Sequence, residues 1–153
     1  MLYHALYVPE GSSPFPKDIV NDPRIAKYVL GWGKLGDSGF VGIDEPSHLQ
    51  VGAVWIRLFE SGHPGYGYVD EKIPELSIAI LPGFRNRGFG TELLSEMIRE
   101  AGSRFQGLSL SVTAENPARR LYERMGFKIL KVNGTSLTML LEFNSYSTDN
   151  DIR

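Results

Sequence analysis

The stretch Pro74-Glu-Leu-Ser-Ile-Ala-Ile-Leu-Pro-Gly-Phe-Arg-Asn-Arg-Gly-Phe-Gly-Thr-Glu-Leu-Leu94 decides the fold. Leu76, Ile78 and Ile80 share one face of an extended segment, and Ala79 and Leu81 make the run apolar on both sides, as in the middle of a sheet. Pro82-Gly83 ends the strand. Helical spacing then takes over: Phe89, Leu93, Met97 and Ala101 recur every fourth residue, and Leu94 and Ile98 widen the stripe. Between strand and helix lies Arg85-Asn86-Arg87-Gly88-Phe89-Gly90. Two glycines let the backbone approach a ligand closely, and the first N–H groups of a helix have no intrahelical partner. Added to the helix dipole, this makes a site suited to a pyrophosphate. A plainer reading also fits, a tight turn flanked by solvated arginines. Two other nucleotide loops fit poorly. Leu93 stands where a dinucleotide fingerprint needs glycine or alanine, and no Gly-Lys-Ser/Thr follows, as a P-loop requires.

Working outward, Asp22-Pro23 has the form of a helix start, a cap followed by proline at the first position. Ile25, Tyr28, Val29 and Trp32 supply the side expected to be buried, and Gly31, Gly33 and Gly36 stop the helix. The first eight residues read as a short helix in preference to a strand. Phe40 to Asp44 and Leu49 to Phe59 are strands joined by a Glu45-Pro46-Ser47 turn. In the second, Val51, Ala53, Trp55, Arg57 and Phe59 share one face and Val54, Ile56 and Leu58 the other. Ser61 to Lys72 is a glycine-rich loop carrying His63, Tyr66, Tyr68 and Asp70. After the long helix, Leu108, Leu110 and Val112 alternate with Ser109, Ser111 and Thr113, a period-two strand. Asn116-Pro117 starts a helix whose stripe is Ala118, Leu121, Tyr122 and Met125, and Gly126 ends it. Phe127 to Val132 and Ser136 to Phe143 form a hairpin about Asn133-Gly134. The order predicts an α/β (α+β mixed) sheet in three layers, with a central parallel pair joined by the crossover helix.

Composition narrows the function classes. A chain of 153 residues is long enough for one sizeable core, and residues 1–143 are expected to form a single domain followed by a polar tail over 144–153. A net charge of −2 without a basic–aromatic stripe argues against nucleic acid as partner. No apolar run approaches the ~20 residues of a membrane span. The absence of cysteine excludes a disulfide framework and a thiolate nucleophile, and fits a cytoplasmic location. Three scattered histidines show no metal-ligand spacing.

Arg85-x-x-Gly88-x-Gly90 at a strand-to-helix junction resembles the acetyl-CoA loop of the GNAT (Gcn5-related) N-acetyltransferase superfamily. A second segment, Asn116-Pro-Ala-x-x-Leu-Tyr122-Glu-x-x-Gly-Phe127, is similar to that superfamily's second landmark and stands in the right order. Together the similarity covers roughly residues 38 to 143. It implies a GNAT-like fold whose central parallel strands splay apart, and direct transfer of an acetyl group from acetyl-CoA, as co-substrate, to an amine. No metal is implied. By that resemblance, the N–H groups of Arg85, Asn86, Arg87, Gly88, Phe89, Gly90 and Thr91 would hold the pyrophosphate. Ile78, Ala79 and Ile80 would pair with the pantetheine arm, with a main-chain N–H near Ile80 facing the thioester oxygen. Asn116 would touch pantetheine, and Tyr122 would donate to the leaving thiolate.

The base stays open at this level. Glu75 matches the glutamate of many relatives but lies one residue nearer Arg85 than in the commoner pattern. Side chains alternate along a strand, so either a bulge compensates or Glu75 faces away. The alternative carboxylate position, five residues before Asn116, is Ser111. A water chain or the loop of Tyr66, Tyr68 and Asp70 could serve instead. That loop and Trp55 are candidates to touch the acceptor, with Arg57, Trp32 and Asp37 behind them. The resemblance implies a small-molecule or peptide amine acceptor, and mild acidity favours a cationic one such as a polyamine, an aminoglycoside or a lysine. A homodimer is possible, and the other function considered is a non-catalytic acyl-CoA-binding or regulatory domain. The resemblance also implies a strand ahead of the first helix, which this sequence does not show.

Overall fold

A computed structural model describes residues 1–144, so the tail expected at 144–153 lies outside the described residues from 145 onward. The residues that make the middle of the sheet are apolar on both sides. Strand β2 (Leu49–Arg57) is buried from Val51 through Arg57. It pairs antiparallel with β1 (Ser38–Asp44) and with β3 (Glu75–Ile80). Strand β4 (Gly107–Thr113) lies parallel to β3, and the hairpin of β5 (Lys128–Asn133) and β6 (Ser136–Glu142) completes the order β1-β2-β3-β4-β6-β5.

Helix α3 (Phe89–Gly102) crosses from β3 to β4 and buries Leu93, Leu94, Met97 and Ala101, the stripe its four-residue spacing predicts. These side chains form one core with Val54, Ile56, Leu76, Leu108 and Leu110, and with Tyr122 of α4 (Ala118–Arg124). The opposite face carries a smaller cluster, Ala53, Trp55 and Ala79, covered by Leu2 and Ala5 of helix α1 (Leu2–Ala5). Among the described residues no strand precedes β1; the chain opens on α1, a 3₁₀ turn (Lys17–Asn21) and α2 (Pro23–Ala26).

Three sequence expectations need correction. Asp22 caps α2 by accepting the Arg24 N–H at 2.9 Å, but α2 is a single turn. Tyr28 is buried, whereas Val29 and Trp32 are 37% and 50% exposed; past Ala26 the chain goes on in hydrogen-bonded turns as far as Leu30, and Gly31 at φ 64° breaks them. Strand β2 ends at Arg57, and Phe59 is buried beyond it, edge-on against Tyr28. In the last hairpin Asn133 pairs with Ser136, so the loop is Gly134-Thr135, with Gly134 at φ 59°.

Arg57 anchors the segment ahead of β1. Its guanidinium grips the Asp37 carboxylate through Nε (2.9 Å) and Nη2 (2.7 Å), and Nη1 donates to the carbonyls of Lys27 and Leu30. Both side chains are 2% exposed, and Asp37 also accepts the N–H groups of Gly33 and Lys34. The two therefore stitch residues 27–37 onto β2 rather than face a ligand.

Candidate active site

The site begins where two parallel strands fail to stay together. β3 and β4 pair at a single position, Glu75 with Ser109, where the Ser109 N–H donates to the Pro74 carbonyl at 3.1 Å. On its other side, β3 follows β2 without a break, and the Leu81 N–H donates to the Val51 carbonyl. In an antiparallel ladder successive residues direct their main-chain groups to opposite sides. The N–H groups of Ile78 and Ile80 therefore point across the gap toward β4. The Ile80 carbonyl is taken by Arg85 Nε at 3.1 Å. A cavity of about 290 Å³ opens at this divergence.

At the end of β3 a short turn (Pro82–Phe84) leads into the glycine loop. Asn86 and Gly88 take the left-handed conformation, with φ 58° and 89°. Among the described residues, none of the main-chain N–H groups from Asn86 to Thr91 finds a protein acceptor. Six donors at the mouth of a fourteen-residue helix thus remain for an anion. Arg87 is at the surface, 52% exposed, and lies over the rings of Phe84 and Phe89 (5.0 and 5.8 Å) and 3.9 Å from Asp44, which braces the loop. Gly90 has helical backbone, and a Cβ there would make only ordinary contact, 3.4 Å from Leu121 Cδ2. The fold itself does not demand glycine at that position.

Glu75 settles its direction without a bulge. The register opposite β2 runs unbroken through Arg57↔Glu75, so Glu75 shares its face with Ser77 and Ala79. It still reaches the cavity, because the divergence of β3 and β4 opens the gap to side chains of both faces, Leu76 and Ile78 included. Its Oε1 accepts from the Tyr28 hydroxyl at 2.7 Å and from the Gly67 N–H at 2.9 Å, while its buried Oε2 has no protein partner. Burial raises the carboxyl above its usual range, against the lowering effect of those hydrogen bonds and of the Lys27 charge. Burial and the neighbouring carboxylate push the Tyr28 phenol up as well.

A loop closes over that carboxyl. Tyr66 stacks on Tyr28 (6.5 Å between centroids), and its N–H donates to the Tyr28 hydroxyl at 2.7 Å. The loop can come this close because its flanking residues are glycines. A Cβ on Gly65 would lie 1.9 Å from Glu75 Oε2, and one on Gly67 would lie 2.5 Å from the Leu110 backbone. Tyr28 is the partner that sequence reading missed, since it carries no motif and counts only as a core aromatic.

Tyr122 is 8% exposed and lines the cavity, and its hydroxyl makes no hydrogen bond among the described residues; burial pushes its phenol up to about 12. Asn116 also lines the cavity, with Oδ1 accepting the Ala118 N–H at 2.9 Å, so cap and cavity wall are one residue. Of the acceptor candidates, Tyr66 borders the cavity. Tyr68 and Asp70 do not; Asp70 instead caps its own turn by accepting the Lys72 N–H. Trp55 packs on the far cluster and donates its indole N–H to the Tyr28 carbonyl at 3.2 Å, so it supports Tyr28 from behind. Among the described residues no group of three or more carboxylates and histidines is placed to hold a metal, and no helix is long and apolar enough to cross a membrane.

The family model described as an acetyltransferase (GNAT) domain matches residues 38–129, from β1 to the start of β5. The chain belongs to the GNAT acetyltransferase family. Solved GNAT structures share its fold. One is yncA of Salmonella typhimurium, described as an acetyltransferase and solved with acetyl-CoA (TM-score 0.65, 19% identity, 98% of this chain and 88% of that one). Another, described as a GNAT-family protein, comes from Bordetella pertussis (TM-score 0.64, 18% identity, 90% and 84%). A third is the spermidine/spermine N-acetyltransferase of Vibrio cholerae (TM-score 0.56, 22% identity, 72% and 66%). At such identities the likeness is one of fold. No curated protein matches the chain. The mixed six-stranded sheet and its parallel pair are those of this GNAT fold.

Proposed function

We propose that this GNAT domain transfers an acetyl group from acetyl-CoA to a primary amine by direct attack, with both substrates bound together. One observation carries the reading. The unpartnered amides of Asn86 to Thr91 follow the C-terminal end of β3, and the gap along that strand is lined by a buried carboxylate at its start and a buried phenol. The amides suit the pyrophosphate, and the free N–H groups of Ile78 and Ile80 suit the pantetheine arm and the developing oxyanion. Arg85, tied to the Ile80 carbonyl, adds charge beside the loop.

The chemistry needs one bond made and one broken. The amine nitrogen bonds to the thioester carbonyl carbon, the C–S bond breaks, and the ammonium's surplus proton leaves for a base. Glu75, which lines the cavity, takes that proton in our reading. Its raised pKa brings the carboxylate closer to the ~10 of an alkylamine and makes it a better base than an exposed glutamate. Tyr122, at about 12, stays protonated at neutral pH and can donate a hydrogen bond to the departing thiolate. Full proton transfer from it to a thiolate of pKa ~8.5 would run uphill. Its role is therefore a hydrogen bond that strengthens as charge develops on sulfur.

A second reading, an acyl-CoA-binding domain without turnover, draws on the enclosure of Glu75 by Tyr28 and Gly67. Release of free thiol from acetyl-CoA in the presence of an amine panel separates the two. Amine-dependent release supports transfer. Binding of CoA with no release on any amine would support the second reading.

A further inference from the structure

The cavity has more to say about the acceptor than its fold family does. Among the described residues Glu75 is the only charged side chain lining it, although the whole chain carries eighteen acidic residues. Leu2, Ala5 and Leu6 of the N-terminal segment and Ile25 of α2 line the cavity as well. The N-terminal segment is held across the gap by packing of α1 on Ala53, Trp55 and Ala79, and by a long hydrogen bond from the Tyr7 hydroxyl to the Glu115 carbonyl (3.5 Å). Beyond the cavity the nearest charge beside Tyr66 is positive, with Lys27 Nζ 5.4 Å from its ring.

We infer that Leu2, Ala5 and Leu6, with Ile25, form an apolar wall that selects a monoamine with an apolar body. The single ammonium of such an acceptor meets the Glu75 carboxylate, which lines the cavity. The inference rests on the acetyltransferase reading and narrows its acceptor. One buried carboxylate can balance one ammonium, and a second ammonium would have to enter without a counter-charge, either among Leu2, Leu6 and Ile25 or beside uncharged side chains such as Ser111, Thr113 and Ser136. Lys27 repels a second ammonium placed near Tyr66 instead. An α-amino acid fares no better, because its carboxylate would sit within the cavity beside Glu75, and among the described residues no cation lines the cavity; Lys27 stands outside it. Tyr28 and Tyr66 offer flat apolar area beside Glu75, which favours an arylalkyl body over a branched one.

The test compares phenethylamine and isopentylamine with putrescine, spermidine and alanine. It uses the full chain with acetyl-CoA and reads both thiol release and amine binding to the CoA-loaded protein. We expect kcat/KM for phenethylamine to exceed that for spermidine and alanine by about 100-fold or more. We expect Leu6→Glu, which puts a second carboxylate in the wall, to shift the ratio toward putrescine by about tenfold. Turnover of spermidine or alanine equal to or better than that of phenethylamine would overturn the inference and leave acetyl transfer standing. Binding of phenethylamine without any thiol release would support the apolar wall and sink the transferase reading. No preferential binding of apolar monoamines, or no change of preference in Leu6→Glu, would overturn the wall's role.

Discussion

Replacing Tyr122 by phenylalanine removes a hydroxyl that no protein group uses. Stability should hold or rise slightly, since no partner is orphaned. If the hydroxyl donates to the leaving thiolate, kcat should fall about 10²-fold or more while the CoA dissociation constant stays within about twofold. Steady-state rates set beside calorimetric CoA binding check both, and unchanged turnover would remove Tyr122 from the mechanism. Glu75 gives a prediction with a sign. Burial makes the native carboxyl hold its proton more tightly than the unfolded chain, whose value is 4.5. Its contribution to stability is whole below that value and is lost as pH rises through the raised native one. Glu75→Gln should therefore lose less stability than the parent between pH 4 and 8 in denaturant titrations, and should lose base-dependent turnover. In the parent, kcat/KM should rise with pH as Glu75 ionises. Of these two residues the sequence showed the identity and hid the surroundings. Glu75 could be named from its place before Arg85, but its direction depended on strand divergence, and Tyr28 comes from a turn 47 residues away.

The glycine loop and α3 offer a cleaner separation of fold from function. Glycine in the first turn of a helix costs about 1 kcal/mol against alanine, and at residue 90 neither φ nor space requires it. Gly90→Ala should raise the melting temperature and weaken CoA binding, a pair of outcomes that a purely structural glycine would not give. Gly67→Ala should lower stability instead. Its Cβ would strike the Leu110 backbone, so the loop must lift, Glu75 loses its N–H partner, and stability should fall by about 1–3 kcal/mol in denaturant titrations. Elements with long periodic stripes, β3 and α3 above all, were legible because their burial repeats with the backbone period. α2 was read too long. Its cap and proline announce a start, but Val29 and Trp32 do not continue a buried face. The hairpin slipped by one residue, as its turn is fixed by the Asn133–Ser136 pairing and not by the Asn-Gly dipeptide.

At the scale of the whole molecule, one buried ion pair ties the N-terminal third to the sheet. Asp37→Asn would leave the Arg57 guanidinium buried without its counter-charge and should cost about 3–5 kcal/mol, measurable by denaturant unfolding. The family was legible because its two landmarks sit on the segments that make the gap, β3 into α3 and β4 into α4. The acceptor was not. Its wall comes from Leu2, Ala5, Leu6 and Ile25, which carry no motif and matter only because α1 packs on β2 and β3 beside the cavity. The account as a whole stands on the free amides at the start of α3. Titrating coenzyme A into the ¹⁵N-labelled chain and following the amide resonances tests it most directly. The account predicts saturable shifts that are largest from Asn86 to Thr91 and extend to Ile78 and Ile80; no association, or shifts confined elsewhere, would contradict it.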